Sequence, residues 1–464
     1  MIISKKNFLI LLLCSATMVM AGCKKSSTAN YNVNVTVAGL QGTGLVLQMT
    51  YLDSSQNYIA TNIPVLANGV VTFLNQLQNN QAYTVAVLSP PGSPYQNCTF
   101  TNPSGVIADA NVSNITLTCA DVGFAYLVNS AGNNINPYII DLSTGSLASS
   151  GSPNATGNAP SAFALSSSGR YAYAVNSADS TISAYLGNPV TGLLISAGGA
   201  IGTGSAASQV TSPAAVAVDP LGKFVYVANS ATNNVAGFVI NSASAALTCV
   251  GGASGICPAS SMVTVGNAPK ALAISKSATG SEYVFVANSA DNTVSGFSIN
   301  SDGTLAATGK VSTGGNPTSI AAIPGLGTFV YVTNFNDSTI SGYLNSSGSL
   351  SANNLTALPA GSAPLAMAIA PNGKYAYVTY AGTSSVAAFS INANGALISL
   401  GALTAGSGNQ PVSVSVDASS AYVYVVTKNN NTVWIYKINT DGTLTYSASQ
   451  SIGNAPVALI TSAN

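Results

Sequence analysis

Histidine is absent from this chain, and arginine, glutamate and tryptophan occur once each, as Arg170, Glu282 and Trp434. Charged residues make up only 5%, against about 25% in an average soluble domain. Zinc sites are usually built from His or Cys-x-x-Cys pairs, and neither is present. Lys and Arg are nowhere clustered, so the counterion release that drives nucleic-acid binding has no source. The longest apolar run, Phe8 to Met20, has 13 residues, short of the roughly 20 that a spanning helix needs. Disorder is excluded by the opposite excess: 47% of the residues are hydrophobic, whereas disordered chains combine low hydrophobicity with high charge. At 464 residues there is room for two or three domains with a sizeable core.

What remains polar is mostly Gly, Ser, Thr and Asn, the residues of turns between short strands. The chain begins MIISKKNFLILLLCSATMVMAGC, with Lys5 and Lys6 ahead of the apolar run, the order of a leader at residues 1–22. Its end, Met20-Ala21-Gly22-Cys23, resembles the lipobox of bacterial lipoproteins, with Met where Leu is commoner. That resemblance implies lipidation at Cys23, a tether over 23–30 and a place in the cell envelope, at the outer membrane or cell surface. An ordinary secretory signal cleaved nearby fits the same residues. Cys98, Cys119, Cys249 and Cys257 remain, and four cysteines in an exported protein point to two disulfides. Nearness in sequence favours Cys98–Cys119 and Cys249–Cys257 among the three connectivities; metal ligation is the rival use.

Residues 31–121 alternate apolar and polar side chains in YNVNVTV, GLVLQMTYL, GVVTF and AYTVAVL, separated by turn-rich runs such as SPPGSPYQN. The pattern predicts a small immunoglobulin-like β-sandwich. The Cys…Trp…Cys signature of antibody domains is missing, since Trp434 lies far downstream.

A repeat occupies 122–464. An aromatic-rich strand opens at Phe124, Tyr171, Phe224, Tyr283, Phe329, Tyr375 and Tyr422, with spacings of 47, 53, 59, 46, 46 and 47. A period in the forties with several strands per unit predicts a propeller. Each unit parses into four strands: one after a Gly-x-x-Pro signal (GNAPSAFALS, GNAPKALAIS), the aromatic strand, one like TVSGFSIN, and one after Asp-Gly-Thr-Leu or its equivalent. The last residues, GNAPVALITSAN, supply a first strand without its successors, and FAYLVN at Phe124 begins a unit without a first strand. Joined, they close seven blades. The fold class is therefore all-β, a seven-bladed propeller sealed by the C-terminal strand and preceded by a sandwich.

YVTN at Tyr331–Asn334, with YVAN at Tyr226 and FVAN at Phe285, resembles the YVTN repeat of surface propellers. VAVDPLGKFVYVAN from Val216, followed by NNVAGFVIN, is similar to the seven-bladed lactonase-type family. That resemblance implies the propeller fold and raises lactone hydrolysis, with 6-phosphogluconolactonase among the members. Its phosphosugar branch is expected to use Arg, His and an acid in the central cleft. Here Arg170 and Glu282 precede aromatic strands beside Lys223 and Lys374 in equivalent copies, where they read as solvated turn charges.

A second candidate site is the turn after the aromatic strand. Asn129, Asn176, Asn229, Asn288 and Asn334 close that strand in five units, followed by Asp179, Asp291 and Asp337 in three. Such a ring would hold a glycan by hydrogen bonds, or cap its own turns. Tyr380 and Thr427 replace Asn in the last two units, as a structural role tolerates. The run ALTCVGGASGICPASS lengthens the third unit and is the least repeat-like part of the ring. These residues predict a lipid-anchored envelope protein whose ring binds a protein, glycan or small ligand without catalysis. No cofactor, metal or nucleic acid is called for. The alternatives are a lactonase-type hydrolase of an uncharged lactone and a structural surface or filament component.

Overall fold

The structure, a computed structural model, describes residues 29–462 apart from 92–95, 189–190, 206–210, 253–256 and positions 278, 326 and 360. The leader, Cys23 and most of the tether expected at 23–30 lie outside the described residues.

The period-two segments form eight strands: β1 (Asn30–Ala38), β2 (Leu45–Leu52), β3 (Tyr58–Val65), β4 (Gly69–Gln78), β5 (Ala82–Ser89), β6 (Gln96–Thr101), β7 (Ser104–Val106) and β8 (Val112–Asn129). They make two sheets, ordered β6-β8-β1-β4 and β3-β2-β5-β7. Alternation turns Val33, Val35 and Val37 of β1, Leu47 and Met49 of β2, and Ile115 and Leu117 of β8 into one shared core. The first disulfide, Cys98–Cys119, joins directly opposed residues of β6 and β8. β8 does not stop at the end of this core. It continues through Asp121 and becomes the aromatic strand of the first blade, so the boundary expected at 121 falls inside one strand.

Seven inner strands, each beginning at a Pro that closes a Gly-x-x-Pro signal in six blades and Val210-Thr211-Ser212-Pro213 in the third, stand side by side around the ring, the last being Pro456–Thr461. That strand pairs with β8, Leu459 opposite Leu127, and also neighbours the inner strand Pro160–Leu165 of the second blade. The expected closure is thus present. Blades four to seven are four-stranded sheets. In blades one to three the outer strand is split, as in Leu247–Cys249 and Met262–Thr264, because the extra residues between loop outward. The second disulfide, Cys249–Cys257, closes the largest of these loops and is buried against blade two.

The aromatic pair has a specific task. In blade three, Phe224 and Tyr226 face the fourth blade while Val225 and Val227 face the second. The Tyr226 hydroxyl donates to the Gly303 carbonyl of the next blade at 2.8 Å. Tyr331, Tyr377 and Tyr424 do the same to Gly395, Gly442 and Gly145. The first aromatic of each pair lies flat under that glycine, where a Cβ would meet the ring: 2.4 Å to Tyr422 at Gly145 and 2.5 Å to Phe224 at Gly303. These glycines also have positive φ, +75° and +87°, the conformation that glycine alone adopts without cost. Four blades therefore sit on their neighbours through a glycine, an aromatic face and one hydroxyl; at the second blade the Tyr173 hydroxyl meets Ala245 instead, and at the fourth Phe285 has no hydroxyl to give.

Gly145→Ala and Gly408→Ala separate the two demands on glycine. Gly408 has a similar φ of +75° but nothing within 4 Å of its Cβ position, so its replacement costs about 1 kcal/mol of backbone strain alone. Gly145→Ala adds overpacking against Tyr422 at the closing seam, about 1–3 kcal/mol further. Thermal melts are expected to rank wild type above Gly408→Ala above Gly145→Ala.

Candidate functional site

Two faces are available for ligands. The upper mouth collects the turns after the aromatic strands and the loops that enter the inner strands. The lower mouth carries the opposite turns and the sandwich. At the upper mouth the five asparagines point into the protein. Asn129, Asn176, Asn229, Asn288 and Asn334 are at most 1% exposed. The Asn176 amide donates to Thr181 and Ser183, and its oxygen accepts the Gly157 N–H at 3.1 Å. Asn288 repeats the pattern with Thr293, Ser295 and Gly266.

The aspartates reach one residue further along the same loop. Asp179 accepts the Asn158 backbone N–H at 2.6 Å and its side-chain amide at 2.9 Å; Asp291 does likewise with Asn267. Those backbone bonds, then the amides, hold both carboxyls below the usual range, with Lys310 assisting at Asp291. Asp337 accepts the Gly315 N–H at 2.6 Å. The glycine of Gly-x-x-Pro is needed for this approach, since a Cβ at Gly157 or Gly266 would lie 2.6–2.7 Å from the Asn and Asp side chains.

Four residues after each second-strand position sits a further lock that the sequence reading passed over. Asn133, Asn233, Asn292 and Asn431 have φ of 48° to 54°, and their side-chain oxygens accept the N–H of Ala159, Ala268, Asn316 and Ala455 in the following blade. Each acceptor side chain holds a residue that precedes proline yet itself has positive φ, 49° to 54°, a conformation the proline ring disfavours. The paired Asn-Asn and Asp-Asn runs were the signal, readable once the turn conformation is known.

One upper-face aspartate lines a cavity. A groove of about 450 Å³ opens between blades four and five, walled by Asp337, Thr339, Ser341, Tyr343, Asn353 and Asn354. Thr339 and Ser341 accept from Asn334 at 2.9 Å. Ser341 also bonds the Tyr343 side chain, whereas Thr339 has no acceptor of its own among the described residues, which leaves one hydroxyl proton for a ligand. The Tyr343 hydroxyl and both Asn amides are committed to backbone carbonyls. No Lys or Arg lines the groove.

A cavity of about 530 Å³ at the lower mouth includes Asp121, Leu142, Ser419, Thr461 and Ser462. Its polar groups already serve the protein: Thr461 donates to Val416, Ser419 to Asp417, Ser462 accepts from Phe124 and Asp121 from Gln96. Among the described residues no three of His, Cys, Asp and Glu gather as a metal site.

Glu282 departs from the expected solvated turn charge. It is the first residue of its strand and only 7% exposed, with fully buried Asp219 of the preceding blade beside it. Asp219 Oδ1 accepts from the Lys223 and Phe224 backbones, but its Oδ2 and Glu282 Oε1 are buried without partners. Burial first, then the Asp219 charge, pushes the Glu282 carboxyl up to about 7, against a smaller opposing pull from Lys276 and Lys223. Protonation of Glu282 relieves the charge repulsion between the two buried carboxyls. Arg170, Lys223 and Lys374 are exposed as expected.

A profile for the family described as "Lactonase, 7-bladed beta-propeller" matches residues 95–210, 252–364 and 349–461, well over half of the chain. No curated protein sequence matches. Among solved structures, a candidate 6-phosphogluconolactonase from Bacteroides uniformis is 19% identical with a TM-score of 0.62, covering 74% of this chain and 100% of that one. Another from Bacteroides fragilis is 20% identical, TM-score 0.61, covering 73% and 98%. The periplasmic gluconolactonase PpgL of Pseudomonas aeruginosa is 18% identical, TM-score 0.60, covering 74% and 99%. At these identities the likeness establishes the fold.

The acid pair sets a sign for stability against pH. Glu282 holds a proton in the folded state up to about pH 7 but, with an ordinary value of 4.5, releases it earlier when unfolded. The native state binds more protons between those values, so stability falls as pH rises from about 4.5 through 7. Asp179 and Asp291 act oppositely, adding stability that is lost as pH drops below their ordinary 3.8. Melting temperatures from pH 4 to 9 are expected to peak near the low end of this range, and Glu282→Gln to flatten the decline above it.

Proposed function

The chain belongs to the lactonase, seven-bladed β-propeller family, and from that premise we propose that its ring takes a small uncharged lactone into the groove between blades four and five and hydrolyses it. The observation that carries the reading is the meeting of Asp337 with the uncommitted Thr339 hydroxyl in a cavity of about 450 Å³, a size suited to a sugar-like ring. In this reading the Asp337 carboxylate takes a proton from water as the oxygen adds to the lactone carbonyl. The Thr339 hydroxyl donates to the oxyanion. Collapse of the adduct breaks the ring C–O bond, and the proton passes from Asp337 to the departing alkoxide, giving the open hydroxy acid. With no cation in the wall, the substrate carries no phosphate, which separates this groove from a 6-phosphogluconolactone site.

A second reading uses the same groove for capture without turnover, of a glycan or another hydroxylated ligand or partner. It is favoured by the committed amides of Asn353 and Asn354, which leave a carboxylate and the Thr339 hydroxyl to recognise ligand hydroxyls. The envelope address is likewise proposed: an exported protein, lipid-anchored through Cys23 at the outer membrane or cell surface. The leader and the two disulfides support it.

A panel of uncharged five- and six-membered lactones tests both readings. Turnover is expected to fall at least about 100-fold in Asp337→Asn, the scale of general-base catalysis, and to persist in Asp291→Asn, whose carboxylate lines no described groove. Full activity in Asp337→Asn would overturn the catalytic assignment. Absence of turnover together with calorimetric binding of a sugar, lost in Thr339→Val, would establish capture instead.

A further inference from the structure

The end of the sandwich farthest from the ring carries an apolar row. Leu52 pairs with Tyr58 across the β2–β3 hairpin. Tyr51 pairs with Tyr83, which puts Ala82 opposite Leu52, and Ala82 pairs with Val106. Tyr51 and Tyr83 turn into the core, so their chain neighbours Leu52 and Ala82 turn outward. Tyr58, Leu52, Ala82 and Val106 therefore form one line across four strands, about 14 Å long at the usual strand spacing. Tyr58 is 74% exposed, Val106 57% and Leu52 42%.

The N-terminus leaves the sandwich beside this line. Asn30 pairs with Gln78, the Gln81 side chain accepts from the Gln78 backbone, and its amide donates to the Leu52 carbonyl. Six residues lie between Cys23 and Asn30, a reach of at most about 25 Å. No Lys or Arg occurs from Asn30 to Asp121, while Asp53 and Asp109 flank the row. Lys24 and Lys25 beside the anchor are the nearest positive charges in the sequence, so the row itself draws no anionic lipid, and its chemistry is shallow insertion of aliphatic groups with a tyrosine at the headgroup level.

We propose that this row, Leu52, Tyr58, Ala82 and Val106, rests on the surface of a zwitterionic bilayer and orients the molecule on its membrane. The proposal rests on the lipid anchor at Cys23. So small a patch would bind weakly alone, but a short tether gives it an effective concentration in the millimolar range. β8 runs from this end of the sandwich into the first blade, so the docked molecule holds its lower mouth toward the membrane and presents the groove between blades four and five to the surroundings.

The test uses the full chain purified with its native modification and placed on phosphatidylcholine vesicles. Intact mass reads the anchor; hydrogen exchange reads the docking. Amides of the Asp53–Tyr58 turn are expected to exchange about tenfold more slowly on vesicles than off them. The slowing should be insensitive to salt and absent from the triple variant Leu52→Ser, Tyr58→Ser, Val106→Ser. Unchanged protection of the propeller amides shows that this variant is folded, and continued flotation shows that its anchor holds. A lipidated protein that floats with unaltered exchange in the turn would refute docking and leave the anchor standing. An unmodified Cys23 would remove both. Slowing that depends on protein concentration without vesicles would assign the row to a second copy of the chain and overturn the bilayer assignment.

Discussion

The ring depends on one pairing. Pro456–Thr461 lies beside the first aromatic strand, Leu459 against Leu127, and the Tyr424 hydroxyl reaches the Gly145 carbonyl across the same seam. Every other blade interface joins segments that follow one another along the chain. This one joins residues 279 or more positions apart, so it carries the loop-closure cost of the whole ring. With it made, both faces of every blade are covered, and that coverage accounts for a chain with so few charges.

Dry interfaces leave backbone polar groups to be satisfied from within. The upper mouth meets this with Asn, Asp, Ser and Thr side chains, which are short, uncharged in the main, and able to reach backbone N–H groups one turn away. The same residues that look like a ligand-binding ring in the sequence are the hydrogen-bond supply of the turns. What this supply leaves over in the groove between blades four and five is the Thr339 hydroxyl proton and one Asp337 carboxylate oxygen.

Much of the architecture was legible because it rests on period and identity: the aromatic strands, the Gly-x-x-Pro signals and the overhanging last strand each name their place. Both disulfides were legible from sequence proximity. The boundary at 121 was harder, since nothing in NITLTCADVGFAYLVN distinguishes two short strands from one long one. The split outer strands of the early blades were hidden because irregular spacing shows that residues are inserted, not where a strand breaks. Glu282 was misplaced for a physical reason. The turn before the aromatic strand is exposed in most copies, and only the three-dimensional approach of Asp219 makes it a buried acid. The groove was invisible, since it lies between blades and its walls come from ordinary repeat positions.

The unbroken run of β8 has a mechanical meaning. A strand shared by two bodies leaves no hinge between them, so force on the N-terminal body passes along its axis into the first blade. There β8 is flanked by the final strand on one side and by Asn134–Asp141 on the other, and the load falls on both ladders in shear, with many hydrogen bonds resisting together. The place where the toroid is stitched shut is thus also the place that bears a pull on the N-terminal body.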